Sequence, residues 1–527
     1  MPRPWRHLLS ALLVSLLIPG TGLAASAKSA TGIDVVLVMD SSGSMKQTDP
    51  GRRRVAAAKL FIALLGKDDR VGVISFSDAG YPVIGLTPVQ AKPQQEQLFK
   101  AVDKVSSKGA YTNLHAALQS AQAMLVHEGS AGRAQYILLM SDGKMDTGDK
   151  QRDAALGQKI RRELLPLIEK QGARVYTLAF TAASDSGMMQ DMATATHGLY
   201  RVAPTDKDLH VVFATFFESS KSPDMLPIEG GRFKTDSSID EVNIVASKEN
   251  ADVEVSLEDP DGQRHTAKQP GTGIRWMPAA GFDLITVPHP KPGTWKLLST
   301  SGQSKAYIVT DLSIATDTKN ADLPANTEPV VRAWLSRDDA VVTQKEILAS
   351  TQFFAELKRP DGKLAKFSLF DNAELGDKIA GDGIYAGSLD VYLPGTYELR
   401  LVAKNPTFER SVVRYFNVLP PAPGATPPVA EHPAAVSPTP AVTPPPVETE
   451  TPKQKSAVTH ADTPAPAHPP EKTEATLNPW IALGVFTVIN LILGGIVAGV
   501  VFWLRKKKAK AGLPKGDDDE DKDGPGK

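Results

Sequence analysis

The chain has 527 residues, and its 59 basic and 60 acidic residues give a formal net charge of −1. A chain of this length is expected to contain several domains, and its balanced charge gives no sign of a nucleic-acid-binding surface. Because the sequence contains no cysteine, disulfide scaffolds, thiolate metal sites and cysteine nucleophiles are excluded.

The first 27 residues have the pattern of a secretory signal peptide. Arg3 and Arg6 precede an apolar run over 8–17 that is too short to span a bilayer, and small residues follow at 25–27. A retained N-terminal anchor is the alternative interpretation. As a signal peptide, residues 1–27 would be removed, and the mature chain is expected to be exported.

Residues 32–219 alternate between short apolar runs and helical patterns. The runs are typical of buried parallel strands, and they lie at Val35–Met39, Val71–Phe76, Tyr136–Met140 and Val175–Phe180. Segments with apolar residues at helical spacing accompany them. This alternation predicts an α/β domain built on a doubly wound, mostly parallel, Rossmann-like sheet.

Oxygen-bearing side chains follow two of these strands. Asp40 comes directly after the first strand, in Asp-Ser-Ser-Gly-Ser, and Asp142 follows the third. Thr112 lies where the helix between them is expected to begin. Ligands of doubly wound sheets bind outside the carboxyl ends of the strands. We therefore expect five residues to converge there: Asp40, Ser42, Ser44, Thr112 and Asp142.

The five residues offer two carboxylates and three hydroxyls, with no nitrogen or sulfur. This donor set suits a hard divalent cation such as Mg²⁺ or Mn²⁺ and not Zn²⁺. As alternatives, Asp-Ser-Ser-Gly-Ser is only a polar turn and Thr112 is only a helix cap. Thr48-Asp49-Pro50 is interpreted as the entry to a helix over Arg52–Leu65 and not as a ligand set.

The order Asp-x-Ser-x-Ser, Thr and Ser-Asp-Gly, on alternating strands and helices, resembles that of von Willebrand factor type A domains. The resemblance covers residues 32–218 and implies a metal-ion-dependent adhesion site. It implies direct ligation of the metal by Ser42, Ser44 and Thr112, with Asp40 and Asp142 acting directly or through water. It also implies that a carboxylate of a protein partner completes the coordination.

After residue 220, strand-like runs separated by turn signals replace the helical pattern. A repeat of about 100 residues is visible. It pairs Pro260-Asp261-Gly262 with Pro360-Asp361-Gly362, and Pro292-Gly293-Thr294-Trp295 with Pro394-Gly395-Thr396-Tyr397. Pro-Asp-Gly is a hairpin sequence, and the second motif resembles a late strand of an immunoglobulin-like domain. We predict two all-β immunoglobulin-like sandwiches, over 222–311 and 312–419.

The second predicted sandwich carries an acidic loop over residues 371–385. The spacing of Asp371, Asp377 and Asp382 suits Ca²⁺, although the loop lacks the EF-hand pattern. The alternative is an acidic loop with ordinary Asp-Gly turns. The loop is therefore a candidate for a second metal site.

The C-terminal part predicts a membrane anchor. Residues 420–478 form a proline-rich, disordered linker, and 480–504 are an uncharged stretch long enough to be a transmembrane helix. The basic cluster that opens the charged tail, 505–527, places the tail in the cytoplasm. The preceding domains would then face the periplasmic side of a bacterial inner membrane. Gly495 and Gly499 have the spacing of a helix-packing motif, which suggests a homodimer.

Taken together, these features predict a non-enzymatic, membrane-anchored extracytoplasmic protein that binds a protein partner through a divalent metal. The whole chain resembles uncharacterised bacterial membrane-anchored proteins with type A and immunoglobulin-like domains. The alternative is a structural or signal-transmitting membrane component in which the metal only stabilises the fold. Metal-assisted hydrolysis by Asp40 and Asp142 would need a general base and a substrate pocket, and the sequence indicates neither.

Overall fold

The computed structural model describes residues 32–89, 92–180, 184–203, 205–319 and 322–420. The predicted signal peptide, the linker beyond residue 420, the predicted span with Gly495 and Gly499, and the charged tail lie outside these residues. Among the described residues, no helix is both long and apolar enough to cross a bilayer.

The first domain contains a twisted sheet with the strand order β3–β2–β1–β4–β5–β6. The strands are β1 (Asp34–Asp40), β2 (Arg70–Phe76), β3 (Gly80–Pro88), β4 (Gln135–Ser141), β5 (Ala173–Ala179) and β6 (Tyr200–Val202). Strand β3 pairs antiparallel with β2, and the other neighbours pair in parallel. The prediction of an α/β domain with a mostly parallel sheet is confirmed.

Helices cover both faces of this sheet. They are α1 (Met45–Thr48), α2 (Arg53–Leu64), α3 (Lys92–Asp103), α4 (Leu114–Glu128), α5 (Lys150–Lys159), α6 (Leu165–Lys170), α7 (Ser186–Ala195) and α8 (Leu209–Lys221). A π-helical turn, Ile160–Leu164, joins α5 to α6, and a 3₁₀ turn, Asp206–Asp208, precedes α8. Strand β1 is apolar on both faces because Leu37 enters the core with α2 and α8, while Val36 enters the core with α4.

After α8 the chain is rich in strands. The next strands are β7 (Asp224–Leu226), β8 (Arg232–Thr235), β9 (Ile239–Ser247), β10 (Ser256–Glu258), β11 (Arg264–Thr266), β12 (Arg275–Pro278), β13 (Phe282–Pro288), β14 (Gly293–Leu298) and β15 (Lys305–Thr310). Strands β11–β10–β14–β8 form one layer, and β12–β13–β9–β15–β7 belong to another. The two layers enclose an apolar core that includes Trp295 and Ile244.

The last described segment extends one sheet of the preceding segment and adds a further sheet. It contains β16 (Leu312–Thr316), β17 (Leu323–Pro324), β18 (Val330–Arg337), β19 (Ala340–Val341), α9 (Lys345–Ser350), β20 (Gln352–Lys358), β21 (Leu364–Leu369), β22 (Ile384–Ser388), β23 (Gly395–Lys404) and β24 (Glu409–Leu419). Strands β24–β23–β20–β21 continue the sheet of the preceding segment, because β7 pairs with both β15 and β24. One sheet therefore runs through both predicted β-domains.

In both copies of the sequence repeat, the proline of the hairpin turn packs against the glycine that starts the later strand. Gly262 and Gly362 close the two hairpin turns with positive φ angles of 83° and 81°. A Cβ on Gly293 would lie 2.8 Å from the Cβ of Pro260, and a Cβ on Gly395 would lie 2.9 Å from the Cγ of Pro360. Glycine is needed at both positions because each hairpin proline packs directly on the backbone that starts the later strand.

Buried polar contacts join α8 to the β-rich part of the chain. Glu218 of α8 is fully buried and accepts hydrogen bonds from the hydroxyl groups of Tyr307, at 2.9 Å, and Tyr415, at 2.5 Å. Its carboxylate also pairs with the Lys305 ammonium at 3.0 Å. Tyr307 and Lys305 lie on β15 and Tyr415 lies on β24, so one carboxylate connects three elements that are distant in the sequence.

Candidate metal site

The ends of two neighbouring parallel strands bring the predicted carboxylates together. Met39 of β1 lies opposite Met140 of β4, so Asp40 ends β1 at the level where β4 ends at Ser141. Asp142 is the next residue after β4. The sequence-based expectation that both carboxylates lie at one edge of the sheet therefore agrees with the strand register.

The Asp40 carboxylate is fully buried and held by neutral donors. Its Oδ1 accepts a hydrogen bond from the Ser42 backbone N–H at 2.7 Å, and its Oδ2 accepts one from the Ser141 hydroxyl at 2.6 Å. Burial raises the pKa of Asp40 to about 6, these hydrogen bonds oppose the rise, and the nearby charge of Asp142 adds to it. Among the described residues, no cationic side chain pairs with this carboxylate.

Hydroxyl groups link the Asp-Ser-Ser-Gly-Ser turn to Asp142. The hydroxyl oxygens of Ser42 and Ser44 lie 3.0 Å apart, and the Ser44 hydroxyl donates to Asp142 Oδ1 at 2.9 Å. Ser42 and Asp142 are buried, whereas Ser44 is exposed to solvent. The candidate site is therefore buried at Asp40 and open to solvent at Ser44.

Thr112 reaches the same place from the loop before α4. A Cβ on Gly143 would lie 3.1 Å from the Thr112 hydroxyl oxygen, so Thr112 lies directly beside the Asp142–Gly143 peptide. The Thr112 backbone is fixed by a reciprocal pair of hydrogen bonds with Asp146, at 2.8 and 3.0 Å. Asn113 is the cap of α4, since its side chain accepts a hydrogen bond from the Ala116 backbone N–H. The alternative interpretation of Thr112 as a helix cap is wrong.

Thr48 is the residue that the sequence interpretation missed. Its hydroxyl donates a short hydrogen bond to Asp142 Oδ2, so Thr48 belongs to the site. The helix-entry role is confirmed for Asp49, whose carboxylate accepts the Arg53 backbone N–H at 2.6 Å and pairs with Arg54. The spacing in the sequence could have indicated this role of Thr48. Thr48 lies four residues after Ser44, so the two side chains lie on the same side of one helical turn.

The chemistry of these side chains fits a hard divalent cation. Two carboxylates lie close together with hydroxyl donors and, among the described residues, without an ion-pair partner for either. A cation with oxygen ligands would supply the missing positive charge, and Mg²⁺ prefers this donor type. The residues that fit such an ion are Asp40, Ser42, Ser44, Thr112 and Asp142.

The acidic loop of the second β-domain also brings its three carboxylates together. Ligand oxygens of Asp371, Asp377 and Asp382 all lie within 4.8 Å of one another. Each carboxylate already accepts backbone N–H groups, and Asp371 accepts those of Gly381 at 2.6 Å and Gly383 at 2.9 Å. Burial, and the neighbouring charges of Asp371 and Asp377, raise the pKa of Asp382. Calcium binding at this loop stays a prediction.

Comparison with known proteins confirms the resemblance drawn from the motifs. Residues 34–215 match the family model of the von Willebrand factor type A domain. Residues 313–415 match the family model of the second Ig-like domain of conditioned medium factor. The chain thus combines a type A domain with a domain of immunoglobulin type in its β-rich part.

Two curated relatives align over most of the chain. Calcium-activated chloride channel regulator 1 of Equus caballus is 25% identical over 395 residues, and calcium-activated chloride channel regulator 3A-1 of Mus musculus is 23% identical over 400 residues. Each alignment covers 70% of this chain and 41% of the relative. The chain therefore spans less than half the length of these relatives.

Two solved structures also align with parts of this chain. A von Willebrand factor type A protein from Catenulispora acidiphila aligns with a TM-score of 0.31 and 14% identity, covering 59% of this chain and 63% of that one. Proximal thread matrix protein 1 from the mussel byssus, with a zinc-occupied MIDAS motif, aligns with a TM-score of 0.29 and 14% identity, covering 38% and 50%.

Proposed function

We propose that the von Willebrand factor type A domain at residues 34–215 binds a protein partner through a divalent metal ion. The ion is Mg²⁺ or Mn²⁺, and its ligands come directly or through water from Asp40, Ser42, Ser44, Thr112 and Asp142. A carboxylate of the partner completes the coordination. In this proposal the role is one of adhesion or complex assembly, with no catalytic step.

The observation that carries the proposal is that, among the residues the structure describes, the buried carboxylates of Asp40 and Asp142 contact neutral hydrogen-bond donors and no cationic side chain. Asp40 is fully buried, and its carboxylate is held by a hydroxyl and a backbone N–H. Hydroxyl ligands leave a divalent ion with much of its positive charge, so the ion favours one more anionic ligand. The exposed Ser44 gives that ligand a path from solvent.

The proposal includes the position of the protein in the cell. The type A domain and the β-domains would lie outside the cytoplasm, on the periplasmic side of a bacterial inner membrane. One C-terminal helix over 480–504 would anchor them, with the option of dimerisation through Gly495 and Gly499. The partner would be a protein and not a nucleic acid, in keeping with the net charge of −1.

A second candidate function is a structural or signal-transmitting component in which the metal only stabilises the fold. It is favoured by the hydrogen bonds that link α1 to the residue after β4 through Ser44, Thr48 and Asp142. A metal there would hold separate loops together without a partner. The two functions differ in one result, since only the first requires a partner to leave when the metal is removed.

Calorimetric titration of the full chain with Mg²⁺ and Mn²⁺ tests the metal site. We expect saturable binding that Asp40→Ala abolishes. Asp68→Ala removes an exposed carboxylate in the loop before β2 and should leave binding unchanged. Undiminished Mg²⁺ affinity in Asp40→Ala would refute the site. Co-purification from membranes with Mg²⁺ or with chelator then separates the two functions, because retention of the same partner in chelator favours the second.

A further inference from the structure

A basic cleft adjoins the proposed metal site. It has a volume of about 460 Å³, and its lining includes Lys46, Arg52, Lys104 and Lys108. Lys46 lies on α1, between Ser44 and Thr48 of the site. Lys108 precedes Gly109, whose backbone N–H donates to the carbonyl oxygen of Ser41 at 2.8 Å. The cleft therefore begins where the Asp-Ser-Ser-Gly-Ser turn ends.

Three ammonium groups in the cleft have no carboxylate partner in the described part of the chain. Lys46, Lys104 and Lys108 are exposed, and none of them forms an ion pair there. The two carboxylates in the lining are already used, since Asp49 pairs with Arg54 at 2.6 Å and Asp103 pairs with Lys59 at 2.8 Å. The free charge of the cleft is therefore positive.

The floor of the cleft is rigidly built. The Arg52 guanidinium donates to the carbonyl oxygens of Asp103 and Val105, both at 2.8 Å. The fully buried Arg54 donates to the carbonyl oxygen of Ser106 at 2.9 Å and to the hydroxyl of Ser107 at 2.8 Å. These bonds fix the loop after α3 against the start of α2, so the lysines extend from a preorganised surface.

We propose that this cleft binds an acidic segment of the partner protein, next to the carboxylate that reaches the metal. The proposal rests on the proposed function of the metal site and specifies the chemistry of the partner. One acidic side chain binds the metal, and acidic residues near it in the partner's sequence pair with Lys46, Lys104 and Lys108. The lysines would add affinity that depends on ionic strength, because exposed ion pairs are screened by salt.

A fluorescent hexaglutamate peptide serves as the probe. Its binding to the full chain is measured by fluorescence anisotropy in Mg²⁺, at low and at physiological salt. The cleft variant is K46Q/K104Q/K108Q. The matched control is K67Q/K92Q/K170Q. It removes the same charge from exposed lysines at the end of the strands that lies away from Asp40. We expect at least tenfold weaker binding by the cleft variant and less than twofold change in the control.

The Asp40→Ala variant and chelator distinguish failure of the cleft from failure of the metal site. Both should weaken peptide binding at least tenfold. If they do so while the cleft variant binds like the wild type, the cleft proposal is wrong and metal-mediated binding stands. If Asp40→Ala and chelated protein bind like the wild type, the proposed function is wrong. The acidic-segment proposal would also be overturned if the cleft variant and its control lost the same affinity for the peptide. It would be overturned as well if a single-stranded oligonucleotide displaced the labelled peptide as effectively as unlabelled hexaglutamate does.

Discussion

The two ends of strand β1 carry the same residue type in opposite electrostatic settings. Asp34 begins the strand and Asp40 ends it, and both side chains are fully buried. The Asp34 carboxylate pairs with Arg70 at 2.6 Å and with Arg133 at 2.7 Å. The Asp40 carboxylate accepts hydrogen bonds from a hydroxyl and a backbone N–H, and no ion pair to it is found among the described residues.

The pKa values record this difference. Burial would raise the pKa of Asp34, but hydrogen bonds from Arg70 and Arg133 outweigh it and hold that pKa below its ordinary value. Burial raises the pKa of Asp40 to about 6 despite opposing hydrogen bonds from Ser141 and Ser42, and in the described part of the chain no cationic side chain pairs with this carboxylate. The Asp34 carboxylate therefore has two cationic partners within the fold, whereas the Asp40 carboxylate has none among the residues that the structure describes, in keeping with the metal site proposed above.

The largest expected effect is a contrast between Asp34→Asn and Asp40→Asn in metal-free protein. Asp34→Asn leaves two guanidinium groups without their shared anion and should lower the free energy of unfolding by about 4 kcal/mol. Asp40→Asn removes a buried charge that has no ion-pair partner among the described residues, and it should change the free energy of unfolding by less than about 1 kcal/mol. Chemical denaturation measures both changes.

For Mg²⁺ affinity, we expect the opposite order of effects from the two substitutions. Asp34→Asn should keep the Mg²⁺ affinity of the wild type, and Asp40→Asn should lose it in the same calorimetric titration. The comparison fails if Asp40→Asn destabilises the metal-free protein as much as Asp34→Asn does. Such a result would mean that the Asp40 carboxylate is needed by the fold itself.

A buried group that stays neutral gives the next largest effect. His210 of α8 contacts the hydroxyl of Ser247 at 2.8 Å and stacks on Phe282, so it lies where the type A domain meets the β-rich part. Burial lowers the pKa of His210 to about 4, with smaller opposing effects from the carbonyl of Lys207 and the charge of Asp208, while Arg53 lowers it further.

The sign of the pH dependence follows from this shift. The unfolded state takes up a proton near pH 6.5 and the folded state only near pH 4, so stability falls as the pH drops through this window. The loss from His210 is about 3 kcal/mol. Denaturation between pH 7 and pH 4 should show a shallower slope for His210→Gln and an unchanged slope for the exposed control His127→Gln. Equal slopes in wild type and His210→Gln would contradict the assignment.

Strand pattern alone predicted the sheet and the convergence of Asp40 with Asp142, because parallel strands place their carboxyl ends at one edge. The spacing of Ser44 and Thr48 places both on one side of a helical turn, but that local spacing does not indicate that Thr48 contacts a residue 94 positions away. The shared sheet of the β-domains depends on the pairing of Met225 with Ser411. Turn motifs indicate where each strand ends, but they do not indicate which edge strand of one domain pairs with which edge strand of the other.

Thr48 provides a third test, with a smaller expected effect. Thr48→Val keeps the side-chain shape but removes the hydroxyl that donates to Asp142. Groups that orient a metal ligand without touching the metal typically change affinity 10- to 100-fold, and we expect about tenfold weaker Mg²⁺ binding. Thr48→Ser, which keeps the hydroxyl, should bind within about threefold of the wild type. Unchanged affinity in Thr48→Val would show that Asp142 is positioned without it.

The acidic loop gives the smallest expected effect. The electrostatic setting of its carboxylates is intermediate between that of Asp34 and that of Asp40. Its carboxylates have no cation of their own in the described residues, but backbone N–H groups already satisfy part of their hydrogen-bonding capacity. We therefore expect weak Ca²⁺ binding, with a Kd of about 10⁻⁴ to 10⁻³ M. With the first site removed by Asp40→Asn, Ca²⁺ should still raise the melting temperature, and adding Asp382→Asn should abolish that rise. A rise of the same size in the double variant would place the calcium effect elsewhere, and the loop would then be an ordinary turn in which aspartates cap backbone N–H groups.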